Sequence, residues 1–554
     1  MSPMTSSISQ KKIEIFLRNI LESFNIKFPI YKMVIVPSQM IALHRLRRIV
    51  SNSSPIKKGK NGKKIIFTSV DARFTPHTYL EGGIAKSLQI RGHGHQVKMI
   101  ICGGLMDICA GHFTVKKPPN AWQCENCIKY STRFYEITGL PYSTYCNYIS
   151  QKELADIKNK VNKIPFSDCR SFVYKNVNVG YHAAASAERY FLGEPTSREV
   201  YEPILRSELA NAIISTDIAE KIINEEKPDV LVTSHGCYST WGSFADYFAN
   251  RGIKTRVWTS GYKSDTMTFD INKIEEYFKE YYEKVRKKRP LNKEETQELN
   301  GFLNKRVKGE EGDTALYGFS KRSLDLEKEF NFSEYDKNYV MFPNIAWDFT
   351  LLQDKSKAFE DIYDWVSSTI ELFKQKEKNQ LIIKIHPAEK TSGSQKTMKD
   401  YINEKFNQLP KNVKIIPPDT TISAYSLFPY IDVGLMYSGT LCLEMALNNI
   451  PVIMVGESRY SNKGFTYYAA TREEYQTLLE KKSLSVSKDA LEMAKVYGYF
   501  YFIKNYIPRK FTYFNSFLDL GWNIKSLDDL GPGKDKYLDH ICKYIVSGGI
   551  LQDW

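Results

Sequence analysis

The segment YSGTLCLEMALNNIPVIMVG, residues 437–456, reads as the end of one strand, a turn of small residues, a helix and the start of another strand. Ser438, Gly439 and Thr440 form the turn, and the helix behind it directs its amino-terminal amides and the positive end of its dipole above the sheet edge. A phosphate suits that position. Gly439 permits close backbone approach, and the hydroxyls of Ser438 and Thr440 can donate to phosphate oxygens or cap the helix. Glu444 lies one helical turn beyond Thr440 on the same face, where its carboxylate can accept from a ribose diol or stand solvated.

Upstream, LIIKIHPAE (381–389) is a strand with His386-Pro387 at its carboxyl end. Ligands of open α/β sheets bind outside the carboxyl ends of the strands, so His386 projects towards the crevice above Ser438. Its imidazole can meet a phosphate there, or be an ordinary loop histidine. Around these two motifs NYVMFPN, VKIIPP, IDVGLMYSGT and PVIMVG alternate with helical stretches. The same grammar appears earlier. KKIIFTSV (63–70) leads through a loop into EGGIAKSLQIRGHGHQVKMIICGG (81–104), with Gly82 and Gly83 opening a helix, and returns in KPDVLVTSHGCYSTWGSFADYFANRGIKTRVW (227–258). Alternating βα units imply parallel sheets with helices on both faces.

The expected fold is therefore α/β, with two Rossmann-like halves in tandem facing a cleft. Residues 1–62 read as a helical extension and basic linker, with an amphipathic helix over 10–24 and a second over 40–50. Residues 63–335 form the first half with a cysteine-containing insertion, 336–490 the second, and 491–554 carboxyl-terminal helices that pack back across both. The charge-dense stretch 272–337 reads as solvated helices and connections.

A chain of 554 residues with 42% hydrophobic and 25% charged residues can bury large cores, which excludes a small module and a disordered or collagen-like chain. Lys+Arg 77 against Asp+Glu 63 leaves +14, a balance that suits a solvated surface or anionic partners. No uninterrupted apolar run of membrane-spanning length occurs, the leader is too charged for a signal peptide, and no nucleic-acid module is apparent, so the expectation is a cytoplasmic protein. Cys102, Cys109, Cys124 and Cys127 follow C-x6-C-x14-C-x2-C with His112 nearby, and the CENC pair has zinc-knuckle spacing. A structural zinc, unliganded core or loop cysteines, and an iron–sulfur or redox role are the three readings of that cluster.

From FPNIAWD (342–348) through IKIHPAE and PPDTTISAYSL to ESRYSNKGFTYYAATREEY (457–475), the chain resembles the donor-binding half of GT-B glycosyltransferases. More narrowly it is similar to the capsule-polysaccharide-biosynthesis family, which includes Kdo, sialic-acid and glycerol-phosphate transferases with His-Pro and Ser-Ser or Ser-Thr motifs. The resemblance covers about 336–490 and is weaker over 63–270. It implies donor-phosphate contacts from His386, Ser438 and Thr440, with Pro387 and Gly439 shaping their loops and Glu444 near the ribose. It implies a sugar moved from a nucleotide donor to a glycan or lipid-linked glycan acceptor, with peripheral contact at the anionic inner membrane face. The family's acidic base motif has no clean copy here, Glu81-Gly82-Gly83 being the nearest. Inverting transfer needs a base for the acceptor hydroxyl, and Asp71 and Glu81, in the loop after the first strand, and His235, after DVLVTS, are the candidates. No Asp-x-Asp motif stands beside the donor loop, so catalysis is expected to need no metal. A nucleotide-sugar epimerase of the same fold and a non-catalytic zinc-bearing binding protein are the competing readings.

Overall fold

The computed structural model describes residues 27–55, 62–69, 75–92, 94–109, 121–192, 197–311, 325–345, 347, 355–391, 394, 396–516 and 519–554. In the amino half, β1 (Lys64–Thr68), β2 (Gln96–Ile101), β3 (Tyr142–Thr144), β4 (Val230–Ser234) and β5 (Lys254–Ser260) run parallel in the order 3-2-1-4-5. An antiparallel β6 (Thr266–Phe269) follows at the β5 edge. Parallel strands covered on both faces read as continuous apolar runs, as β4, VLVTS, does with every residue buried. Ile66, Ile100 and Leu231 pack beneath the Arg198–Glu226 helix. Ile65, Phe67, Met99 and Val232 pack on the opposite face against the Thr75–Ile90 and Lys536–Ser547 helices.

The second half repeats this order. β7 (Lys337–Phe342), β8 (Asn379–Lys384), β9 (Val413–Ile416), β10 (Val433–Met436), β11 (Val452–Met454) and β12 (Tyr467–Tyr468) are all parallel, in the order 9-8-7-10-11-12. Alternation splits its strands between two cores. Val340, Ile382 and Met436 face Leu443 and Met445 of the short Leu441–Leu447 helix, while Met341, Ile383 and Leu435 face Trp365 and Val366. Each sheet thus reverses its strand order once, between β1 and β4 and between β7 and β10, and these are the positions where such sheets bind ligands.

The tail contributes to both halves. The Lys488–Tyr499 helix buries Ala490, Ala494 and Tyr497 in the second half, and Leu538, Ile541 and Ile545 of the Lys536–Ser547 helix lie in the first. Between them lie two short helical turns, Phe500–Lys504 and Leu527–Leu530, and three short strands. β13 (Ile507–Pro508) extends the first sheet antiparallel to β6, and β14 (Thr512–Ser516) pairs with β15 (Asp519–Trp522) as a hairpin. Leu520 and Trp522, two apart and both buried, show the strand period that the aromatic richness masked.

Two other expectations change. Gly82 and Gly83 do not open a helix but sit inside the Thr75–Ile90 helix, where an added Cβ would come within 2.6 Å of the Phe134 ring and 2.6 Å of the Phe511 ring. They are sites of close packing. The charge-dense stretch is not wholly solvated either, since the Lys293–Val307 helix buries Leu299, Phe302 and Arg306. The second leader helix is part of a longer one, Lys27–Ser51, that seats Leu43 and Leu46 on the first core. The helix expected over 10–24 lies outside the described residues. Among the described residues no helix is long and apolar enough to cross a membrane.

Candidate functional site

At the switch point of the second sheet, Asn344 follows β7 and Ser438 follows β10. The Ser438 amide donates to Asn344 Oδ1 at 3.1 Å, tying the two strand ends together. Gly439 has φ +114°, a conformation that L side chains rarely adopt, and it turns the chain into the Leu441–Leu447 helix. Thr440 occupies the cap position without a side-chain capping bond. Thr440 is half-exposed, and behind it the Cys442 and Leu443 amides donate to the Gly439 and Thr440 carbonyls at 3.4 and 3.0 Å. His386 and Pro387 leave the end of β8, and His386 Nδ1 accepts the Ala388 amide at 3.1 Å. In the neutral ring that bond leaves the proton on Nε2, a donor.

Glu444 has a different surrounding from the ribose contact expected of it. Its Oε1 accepts from Arg306 at 3.0 Å and its Oε2 from the Tyr425 hydroxyl at 2.5 Å, and the Arg306 and Glu444 side chains are each only 3% exposed. The Arg306 guanidinium also lies 5.7 Å from the ring of Tyr262, which follows β5. The Leu441–Leu447 helix is thereby held by a buried ion pair reaching from the connection between the halves.

On the first sheet, Glu81 is not in the loop after β1 but in the second turn of the Thr75–Ile90 helix, 1% exposed. Its Oε1 accepts from Trp258 Nε1 at 2.8 Å and its Oε2 from the Ser69 hydroxyl. Burial pushes this carboxyl up to about 7, against the lowering effect of both bonds. His77, one helical turn earlier, sets its ring edge-on to Trp258 at 4.8 Å and lies 5.7 Å from His235. The His235 ring stacks on Trp241 at 5.1 Å, and its Nδ1 is bonded to the Ser234 hydroxyl. Burial and the Arg189 charge lower His235 to about 4. Burial, then the charges of His235 and Arg509, hold His77 well below the usual histidine range. Both rings are half-buried and neutral at pH 7. His235, Gly236 and Tyr238 have φ of +56°, +64° and +69°, left-handed geometry of the kind concentrated at functional turns. Asp71 lies outside the described residues.

The two walls meet. The Arg189 guanidinium, on the Val179–Phe191 helix, lies 5.5 Å from the Tyr238 ring of the first half and 5.8 Å from that of Trp347, on the loop after β7. Trp347 Nε1 donates in turn to Ser394 Oγ at 3.1 Å. A separate surface pocket of about 520 Å³ lies on the outer helices between Asp107, Lys158, Glu199 and Arg206. Lys158 pairs there with Asp107 and Arg206 with Glu202, and no strand lines it.

Cys124 and Cys127 lie three apart on the Ala121–Thr138 helix, and Cys102 at the end of β2. No disulfide joins the described cysteines, and burial raises the Cys102 thiol. Among the described residues no three His, Cys, Asp or Glu side chains converge to hold a metal ion, and His112 is outside them.

Residues that the sequence reading did not single out are Asn344, Arg189, His77 and Lys384. His77 precedes Glu81 by four residues, the spacing that puts two side chains on one helix face, and Lys384 precedes His386 by two, the spacing of one strand face.

No protein-family model matches the chain, and no curated protein does. Among solved structures, the β-Kdo 2,4 transferase KpsC of Thermosulfurimonas dismutans is similar at 13% identity and a TM-score of 0.36, over 55% of this chain and 88% of that one. The UDP-GlcNAc 2-epimerase of Methanocaldococcus jannaschii is similar at 13% identity and a TM-score of 0.27, over 78% and 98%. That of Neisseria meningitidis is similar at 12% identity and a TM-score of 0.25, over 80% and 96%.

Proposed function

We propose that this protein is a glycosyltransferase that moves a sugar from a nucleotide-activated donor to a glycan or lipid-linked glycan precursor. The observation that carries this reading is the juxtaposition of two switch points. One wall of the cleft brings together the half-exposed Thr440, the buried Ser438 whose amide ties it to Asn344, and the His386 imidazole. The other offers two neutral imidazoles, His77 and His235, among the aromatic faces of Tyr238, Trp241 and Trp258. The first wall suits a phosphate, the second a sugar ring with a hydroxyl to be deprotonated.

In this reading the acceptor hydroxyl gives its proton to a neutral imidazole as it attacks the anomeric carbon, a step for which general base catalysis contributes about 10²–10⁴-fold. His235 is the expected base and His77 its neighbour. Glu81, with both oxygens engaged, acts through Trp258 and Ser69 as a positioning residue. The leaving phosphate's charge is met by His386, Ser438 and Thr440, so that the chain itself supplies what a divalent cation supplies elsewhere. Glu444 holds the donor helix through Arg306 and Tyr425 rather than the ribose.

Incubation with a panel of nucleotide sugars tests the reading. Slow release of free sugar and nucleotide from one donor, accelerated by a glycan acceptor, is expected. Epimerised donor would replace transfer with epimerisation, and a panel left intact and unbound would remove the enzyme reading altogether.

A further inference from the structure

Lys384 is the last residue of β8 and is only 4% exposed. Among the described residues its Nζ makes a single hydrogen bond, to the Ile385 carbonyl at 3.3 Å, and joins no ion pair. An ammonium has three N–H donors and a large desolvation cost, and buried lysines are ordinarily paired. The buried carboxylates of this half are occupied elsewhere, Glu389 with the Met398 amide and Glu444 with Arg306 and Tyr425. The unpaired cation lies on a definite side of the sheet. Ile382 packs in the core that holds Leu443 and Met445 of the donor helix, Ile383 in the opposite one, so the strand period puts Lys384 on the donor-helix face, with His386 two residues further along the chain. Lys384 also sits beside the carboxyl end of β7, whose continuation carries Asn344 and through it Ser438.

We infer that Lys384 is a phosphate-binding residue of the donor site, its ammonium completing its hydrogen bonds on the phosphate oxygens of the nucleotide. This rests on the glycosyltransferase reading and adds a cation to it. An unpaired ammonium in such a place is costly until an anion arrives, and burial accordingly lowers it to about 8. A bound phosphate restores its full charge.

The test is calorimetric titration of the wild-type protein and Lys384→Met with UDP, CMP and, as the phosphate-free control, uridine and cytidine. The expected result is at least a tenfold loss of affinity for the nucleotide that binds, with its nucleoside changed less than twofold, in a variant whose melting temperature is unchanged or raised because a buried unpaired charge has gone. Equal nucleotide affinity in wild type and variant overturns the inference and leaves the glycosyltransferase reading standing. Failure of the wild type to bind either nucleotide overturns both. As a measurement that needs no variant, wild-type binding at pH 8.5 in two buffers of different ionisation enthalpy is expected to report proton uptake, and none taken up would contradict the assignment.

Discussion

The two walls of the cleft share one topology and differ in charge. Both sheets run 3-2-1-4-5 about a single reversal, and in each the residues that matter lie at or just past the carboxyl ends of strands near that reversal, with Glu81 and His77 on the helix that follows β1. In the first wall His77, His235 and Glu81 are all shifted towards their neutral forms, beside the charges of Arg189 and Arg509. Burial lowers His77 and His235 and raises Glu81, and aromatic rings fill the space around them. In the second a lysine and a histidine stand beside hydroxyls. The frame is the same because parallel strands with helical crossovers pack in few ways, whereas strand-end residues are left over to chemistry. A neutral wall suits proton transfer from a sugar hydroxyl, and a cationic wall suits a departing phosphate.

The largest expected effect concerns what fixes the second wall. Replacing Arg306 by Met strands the Glu444 carboxylate, and breaking a buried pair in this way costs about 3–5 kcal/mol. Chemical denaturation of Arg306→Met should register that loss. A variant as stable as wild type would mean that the pair does not anchor the donor helix.

Next comes the neutral wall's dependence on pH. Glu81 is raised in the folded protein, from about 4.5 when unfolded to about 7, so the folded state binds more protons between those values. Its contribution to stability is therefore full below the unfolded value and is lost as pH rises through 7, by up to about 3 kcal/mol. Glu81→Gln keeps an amide oxygen to accept from Trp258 and offers Ser69 an NH2 donor to its hydroxyl oxygen, without the charge. It should be more stable than wild type at pH 8 by more than at pH 5. A difference independent of pH would show Glu81 to be ionised in the fold.

The histidines carry the opposite sign, since their folded values are depressed: their contribution is present above about 6.5 and is lost as pH falls towards 4. Catalytically, His235→Ala should lower turnover about 100-fold, within the usual range for a general base. The smallest effect is expected from brief EDTA treatment, which should change turnover less than twofold. Loss of activity restored by Mg²⁺ would assign the leaving-group charge to a cation instead.

Much of this was legible in the sequence, and what was not has physical causes. Period and turn residues mark β4, β8 and β10 because covered parallel strands are continuous apolar runs, and Ser438-Gly439-Thr440 is marked by a glycine that its φ of +114° requires. Gly82 and Gly83 misled because a glycine admitting a neighbouring ring looks, in one dimension, like a glycine opening a turn. That reading also displaced Glu81 from its helix and hid its relation to His77. Glu444 reads as a solvated or ligand-facing carboxylate because its partner, Arg306, lies 138 residues away in a stretch that composition assigns to the surface. Tertiary pairing of that kind leaves no local trace.

The division of labour between the walls is tested most directly by measuring nucleotide affinity and turnover together in His386→Ala and His235→Ala. His386→Ala should weaken nucleotide binding at least about tenfold, as expected for a lost charge-assisted hydrogen bond. His235→Ala should bind nucleotide as wild type does and lose turnover alone. Equal loss of nucleotide affinity in both variants, or unaltered binding in His386→Ala with His235→Ala fully active, would contradict a cleft with one wall for the donor phosphate and the other for the acceptor.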